Sequence, residues 1–450
     1  MKKVHFIAIG GSAMHNLAIA LHQKGYLVTG SDDAIFEPSA SRLKQRGLLP
    51  EEFGWFPEKI TADLDAVILG MHAHADNPEM LKAQELGLKI YSYPEYLYEQ
   101  AKDKIRVVIA GSHGKTTITS MILHVLHFNG LDVDYMVGAQ LEGFDVMVKL
   151  THENKYMIME GDEYLSSALD RRPKILLYHP NIALISGIAW DHVNVFPTFE
   201  NYVHQFALFT DSICKGGSLV YNSGDEFVDS VVEKSKNEID KIPYSIPEHF
   251  IKDGITYLKT AEGDLALEVF GNHNLSNMEG ARLICKQLGI SDNDFYKAIQ
   301  SFKGASKRLE LINRTADFVA YKDFAHAPSK VTSTTKAVRE QFPDKKLMAF
   351  LELHTYSSLN PEFLKEYKGA LNPADEKIVF YNPEALKIKR MAPISPDDIK
   401  KAFGDESIKV FTNPDDLKAY LNTQYKDNKV FLMMSSANFG GIDLNEIFKA

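Results

Sequence analysis

Ala110-Gly111-Ser112-His113-Gly114-Lys115-Thr116-Thr117 lies between the apolar stretch 105–110 and an apolar run beginning near Ile118. Glycines let successive backbone N–H groups turn inward around phosphate oxygens, and a helix start there adds its positive dipole end. Lys115 would neutralise β/γ oxygens, and a Thr hydroxyl would bind Mg²⁺. The segment is a shortened phosphate loop, because Ile109 stands where the general pattern has its first Gly. Two more chemistry-bearing segments follow apolar runs: Glu160-Gly161-Asp162-Glu163-Tyr164 after 156–159, and Trp190-Asp191-His192-Val193 after 182–186. Near the start, Gly10-Gly11-Ser12-Ala13-Met14 is paired with Gly30-Ser31-Asp32. Taken alone, that glycine turn suits a dinucleotide as well as any other nucleotide-linked ligand.

These segments need strands to carry them and helices to follow them. Three regions alternate the two patterns, which predicts an α/β chain of three modules in series, with parallel sheets covered by helices. The first, 1–103, opens with a strand at 4–9, a helix at 13–24 stopped by Gly25, and strands at 26–29 and 66–69. The charged stretch 100–104 reads as a linker. The second module, 104–310, has strands at 105–110, 156–160 and 182–186, a more polar stretch at 214–270 expected to hold a smaller β-rich element, and a helix after Asn274. The third, 311–450, has strands at 318–321, 347–353, 377–381, 409–411 and 430–434, with helices at 329–341 and 414–425.

Composition narrows the partners. The chain has 450 residues, 45% of them apolar and 24% charged, so it can bury large cores and is not a disordered chain. Lys and Arg number 50 against 60 Asp and Glu, a net charge of −10 that repels a nucleic-acid backbone and an anionic membrane surface. An anionic ligand must therefore be gripped by local geometry. Cys214 and Cys285 form no framework and have no metal-ligand spacing, as in a reducing compartment. No stretch approaches the roughly 20 apolar residues that cross a bilayer, so a cytoplasmic protein is expected.

Gly111–Thr117 closely resembles the nucleotide loop of the Mur ligases, ATP-dependent enzymes that build the peptide stem of peptidoglycan, and the resemblance runs over essentially the whole chain. It implies a Rossmann-like N-terminal domain that binds UDP-N-acetylmuramate through Gly10, Gly11, Ser12, Ala13, Met14, Ser31 and Asp32. It implies a phosphate-loop ATPase central domain and a Rossmann-like C-terminal domain that takes the amine. ATP would be held by Gly111, Ser112, His113, Gly114, Lys115, Thr116 and Thr117. Asn274 in Gly271-Asn272-His273-Asn274 would meet adenine, or simply cap its helix. Arg308 in Lys307-Arg308-Leu309-Glu310 would reach phosphate, and Asp323 and His326 in Lys322-Asp323-Phe324-Ala325-His326-Ala327-Pro328 would approach the nucleotide. Thr116, Glu160 and His192 would supply mixed oxygen and nitrogen donors to Mg²⁺ or Mn²⁺. Lys115, His192 and Arg308 are the expected catalytic residues, with His354 or His326 as a candidate base. Lys322 and Ala327 depart from the family's acidic and His residues at those places.

Within the family, Met434-Ser435-Ser436-Ala437-Asn438-Phe439-Gly440-Gly441-Ile442 is similar to the branch that adds L-alanyl-γ-D-glutamyl-meso-diaminopimelate. His354-Thr355-Tyr356 is similar to the branch that adds L-alanine, with Thr355 replacing its Arg. The peptide is the expected amine and L-alanine the alternative; Lys322 is the cation expected to serve an anionic peptide. Two other classes stay open. One is a nicotinamide oxidoreductase built on Gly10, Gly11 and Asp32, and the other a nucleotide-binding protein without ligation.

Overall fold

The computed structural model describes residues 1–71, 73–138, 144, 146–167, 170–190, 195–305, 308–424 and 427–449. Contacts divide the chain into two compact units, Met1–Ser245 with Gly280–Asp292, and Ile246–Glu279 with Asn293–Ala450. Among the described residues, the strands of the first unit make two sheets. One contains β1 (Lys3–Ile7), β2 (Leu27–Ser31), β3 (Ala66–Leu69) and β4 (Ile90–Ser92) in the order β2-β1-β3-β4, all parallel. The other contains β5 (Ile105–Ala110), β6 (Asp134–Met136), β7 (Val148–Lys149), β8 (Tyr156–Glu160), β9 (Ile182–Ile185), β10 (Ser218–Asn222) and β11 (Asp240–Tyr244). Its order is β11-β10-β9-β5-β8-β6-β7, parallel except at β7.

Helices α1 (Ser12–Gln23), α2 (Ser39–Gln45), α3 (Pro78–Glu85) and α4 (Tyr93–Ala101) belong with the first sheet. Helices α5 (Lys115–Phe128), α6 (Phe199–Asp211) and α7 (Glu226–Lys234) belong with the second. Strands β5, β8 and β9 are buried almost throughout, and this is why they read as unbroken apolar runs rather than alternating ones. Around them Val108, Met159, Ile185, Tyr178 and Phe206 share one core with Val4, Phe6 and Leu17.

In the second unit β12 (His249–Lys252), β13 (Ile255–Thr260) and β14 (Gly263–Leu267) form a small antiparallel sheet. The polar stretch 214–270, expected to hold a smaller β-rich element, contains it together with part of the large sheet. Its first half is β10, α7 and β11 of the large parallel sheet, and only its second half is the separate sheet. Helix α8 (Asn272–Gln287) follows, with its residues 280–287 counted in the first unit, and then α9 (Asp292–Ile299). Strands β15 (Glu310–Arg314), β16 (Phe318–Asp323), β17 (Lys346–Glu352), β18 (Glu376–Phe380), β19 (Lys409–Phe411) and β20 (Lys429–Met434) make the last sheet, ordered β15-β16-β20-β17-β18-β19. Only β15 runs antiparallel in it. Helices α10 (Pro328–Gln341), α11 (Pro383–Ile388), α12 (Pro396–Phe403), α13 (Pro414–Thr423) and α14 (Leu444–Ile447) complete the unit. Three parallel sheets accompanied by helices are the three α/β modules. No helix of the described residues is long and apolar enough to cross a membrane.

Candidate active site

The phosphate-type loop sits at the carboxyl ends of three neighbouring strands, β8, β5 and β9, where open α/β sheets bind ligands. Gly111 has φ +127°, and a Cβ there would lie 2.1 Å from Ser186 Oγ, so no side chain fits. Gly114, at φ +80°, caps α5 without a side-chain hydrogen bond. The left-handed residue turns the chain directly into the helix and leaves the first N–H groups of α5 aimed at the loop, the requirement for gripping phosphate. Ser112 N donates to Gly187 O (2.9 Å) and Ser186 Oγ donates to His113 O, which ties the loop to the end of β9. Thr117 is buried in the first turn.

Lys115 Nζ donates to Gly111 O (2.6 Å) and pairs with Glu163 Oε2 at 2.8 Å. Burial works against its charge, but Glu163, Asp162 and Glu160 outweigh that and raise its pKa. Glu163 is 1% exposed, and its other oxygen accepts from Tyr202 OH at 2.8 Å. Tyr202 in turn lies 2.7 Å from Ser112 Oγ, which accepts from Ala189 N. A hydrogen-bonded chain thus runs from Lys115 through Glu163 and Tyr202 back to the loop. Tyr202 was not legible as a site residue: with Phe206 and Phe209 on α6 it reads as plain core.

Glu160, at the tip of β8, accepts from Thr116 Oγ1 (2.7 Å) and from Gly138 N (2.8 Å). Two expected metal donors are therefore adjacent, and both are hard oxygens of the kind Mg²⁺ prefers. The third, His192, lies outside the described residues. Asp162 pairs with Lys174 at 2.6 Å; burial would raise its pKa, but Lys174 and Lys115 outweigh burial and lower it.

The glycine turn of the first sheet opens onto a cavity of about 840 Å³ lined by Gly10, Gly11, Ser12, Asp32, Arg42 and Trp55 among others. Ala8 adopts φ +68°, and the N–H groups of Ala8 and Ile9 both donate to Ser31 O, folding the turn over the end of β2. Ser31 is buried below. Ala13 and Met14 do not line the cavity; Ala13 faces solvent and Met14 is buried in the core. Asp32 Oδ2 accepts from Gly10 N (2.7 Å), so one oxygen of this carboxylate holds the turn while the residue lines the cavity. Burial raises its pKa.

Asn274, Arg308, Asp323 and His326 belong to the second unit. Asp323, at the end of β16, accepts from Leu309 N (2.6 Å) and Ala325 N (2.7 Å), which pins the segment carrying Arg308 to the loop carrying His326. The Arg308 guanidinium lies 4.7 Å over the Phe324 ring, and His326 Nδ1 is 2.8 Å from Phe324 O. Asn274 is buried and donates to Phe270 O at 2.9 Å. Beside it in sequence, His273 has its pKa lowered by burial. Lys322, the cation expected to serve an anionic peptide, pairs instead with Glu310 across the β15–β16 ladder at 2.8 Å. Register explains the difference, since an antiparallel partner strand puts a carboxylate directly opposite it. His354 follows the end of β17, half-buried.

Residues 109–285 match the model of the Mur ligase middle domain, and residues 3–105 match that of the Mur ligase family, catalytic domain. A UDP-N-acetylmuramate–L-alanine ligase of Sulfurihydrogenibium is 31% identical, covering 84% of this chain and 82% of its own. A UDP-N-acetylmuramate–L-alanyl-γ-D-glutamyl-meso-2,6-diaminoheptandioate ligase of Haemophilus influenzae is 27% identical, covering 98% of each. Among solved structures, the UDP-N-acetylmuramate–alanine ligase of Thermotoga maritima superposes with a TM-score of 0.70 at 20% identity, covering 98% of this chain and 96% of that one; at such identity the likeness is one of fold.

Proposed function

We propose a substrate pair from one premise: the chain belongs to the Mur ligase family, whose members are ATP-dependent ligases that form amide bonds. The acid is UDP-N-acetylmuramate, taken by residues 1–103 around the cavity at Gly10, Gly11 and Ser12. The amine is L-alanyl-γ-D-glutamyl-meso-diaminopimelate, taken by residues 311–450, and the cytoplasm is where both would be met. Residues 104–310 bind ATP.

The reaction follows from what the loop can hold. The muramate carboxylate attacks the γ-phosphate of ATP, giving an acyl phosphate and ADP; the amine then displaces phosphate. Backbone N–H groups of 113–117 fix the phosphate chain, and Lys115 neutralises charge that grows as the γ-phosphoryl moves. Glu163 and Tyr202 keep the Lys115 ammonium charged and in place. Mg²⁺, when bound, would supply further neutralisation; Thr116 and Glu160 are the described residues that would hold it, with His192 as third donor. Arg308, Asp323, His326 and Asn274, all of the second unit, are proposed as nucleotide-contacting residues on the family resemblance alone.

The peptide reading rests on the turn after β20. Glu352, buried at the end of β17, accepts from Ser435 Oγ (2.5 Å) and Phe439 N (2.6 Å). Phe439, Gly440 and Gly441 all take positive φ, and a Cβ on Gly440 would lie 2.8 Å from Pro414. A turn tied down in this way stays low over the sheet edge and leaves height for a long amine. The second reading, L-alanine, is favoured by His354-Thr355-Tyr356 and by the Sulfurihydrogenibium relative. Comparing kcat/KM for the two amines at saturating ATP and UDP-N-acetylmuramate decides between them. A preference for free L-alanine would end the peptide reading.

A further inference from the structure

A peptide amine brings several carboxylates, and charge-assisted hydrogen bonds to them need cations that no internal carboxylate has claimed. In the last sheet the carboxyl ends of β17 and β18 are adjacent, because the two strands pair in parallel. The β17 end carries the turn 354–358. Thr355 is consumed in building that turn: its Oγ1 donates to Ser358 Oγ (2.9 Å) and accepts from Ser358 N (3.0 Å). Tyr356 is thereby presented outward, 65% exposed. The β18 end leads into α11, whose C-cap is Lys389, followed by Arg390 at φ +54°. Lys389 N donates to Ala385 O, Arg390 N to Lys387 O and Met391 N to Leu386 O, so the backbone under these cations is fixed.

The cations of this edge are not equivalent. Lys322 is neutralised by Glu310 and Lys387 by Glu384 (2.6 Å). Lys389 has no ion pair among the described residues; its Nζ stands 4.5 Å over the exposed Tyr356 ring. An aromatic face orients an ammonium without neutralising it, and leaves its N–H groups free for an anion.

Resting on the peptide reading above, the geometry points to Lys389, steadied by Tyr356, as the specificity-determining residue that binds a carboxylate of the incoming peptide remote from its reacting amine. Arg390 supplies a second cation beside it. Remote binding of this kind sets the amine's position and affinity without touching the reacting atoms.

The test is steady-state kinetics of the full chain with Lys389→Ala and Lys389→Arg, varying L-Ala-γ-D-Glu-meso-diaminopimelate at saturating ATP and UDP-N-acetylmuramate. Lys389→Ala should raise the peptide KM about 10–100-fold with kcat within about 2-fold, as expected for one lost charge-assisted contact. Lys389→Arg should recover most of the loss, and the KM values of ATP and UDP-N-acetylmuramate should stay unchanged. An unaltered peptide KM in Lys389→Ala, or an equal rise in the KM of UDP-N-acetylmuramate, overturns this assignment while leaving the peptide reading intact. A wild type that prefers L-alanine overturns the peptide reading itself and this inference with it.

Discussion

Replacing Glu163 by Gln keeps shape and removes one charge from the chain that links Lys115, Glu163, Tyr202 and Ser112. In the wild type the Lys115 ammonium, 16% exposed, faces a carboxylate that is 1% exposed at 2.8 Å. Breaking a buried pair by removing one partner costs about 3–5 kcal/mol. Lys115 retains the Gly111 carbonyl at 2.6 Å and the field of Asp162 and Glu160, so a smaller loss of about 2–3 kcal/mol is expected here. At roughly 2–4 °C per kcal/mol for a unit of this size, the melting transition should fall by about 4–12 °C. Nucleotide phosphates would return the missing negative charge to Lys115. Saturating ATP should therefore raise the melting temperature of Glu163→Gln more than that of the wild type. Differential scanning calorimetry of both proteins, with and without ATP, measures this. Equal melting of the two proteins, or equal stabilisation by ATP, would refute the reasoning that Glu163 stands in for phosphate charge.

Lys115→Ala should fold and lose about 10²–10³-fold or more in turnover, read as phosphate release; near-normal release would remove this loop from the chemistry. Glu160→Gln and Thr116→Ala, each taking one oxygen from the pair at 2.7 Å, should raise the Mg²⁺ concentration for half-maximal rate, as should His192→Ala; three unchanged metal titrations would sink the metal assignment. Glu376 gives a pH effect. Burial would raise its pKa, but hydrogen bonds from Lys346, Lys409 and Tyr420 outweigh burial and hold it at about 2 against an ordinary 4.5. Its stabilisation is full above the ordinary value and is lost as pH falls toward about 2. Glu376→Gln should cost about 1–2 kcal/mol at neutral pH and flatten the acid limb of stability in that window; an unchanged acid limb would contradict the pairing.

Buried parallel strands were the legible part of the fold. Stretches 66–69, 105–110 and 156–160 coincide with β3, β5 and β8, because a strand covered on both faces writes itself as an apolar run bounded by turns. Short or edge strands did not. β6, β7 and β15 are brief, polar or antiparallel, and their pairing is decided by the neighbouring strand rather than by their own residues. Within 214–270 the small sheet β12–β14 was legible as an element, but its extent was not. Alternation marks a strand, but does not say whether β10 and β11 extend the large sheet or join the small one.

In the site, motifs whose backbone does the work were readable, since only Gly at 111 and 114 permits the loop. Side-chain charge balance was not. Lys322 and Lys389 are both lysines near a sheet edge, and nothing in their sequence neighbourhoods says that Glu310 neutralises one while Tyr356 merely steadies the other. Register across β15–β16 and the parallel neighbours β17–β18 settle that, and both are pairings between residues distant in sequence. Asp323 illustrates the same point. Its motif implies a residue facing nucleotide, yet both its oxygens bind backbone N–H groups of Leu309 and Ala325. A carboxylate used in this way positions Arg308 and His326, with both its oxygens already engaged by backbone N–H groups. Removing it should therefore disturb both segments together, whereas removing Arg308 alone should leave the loop of His326 in place.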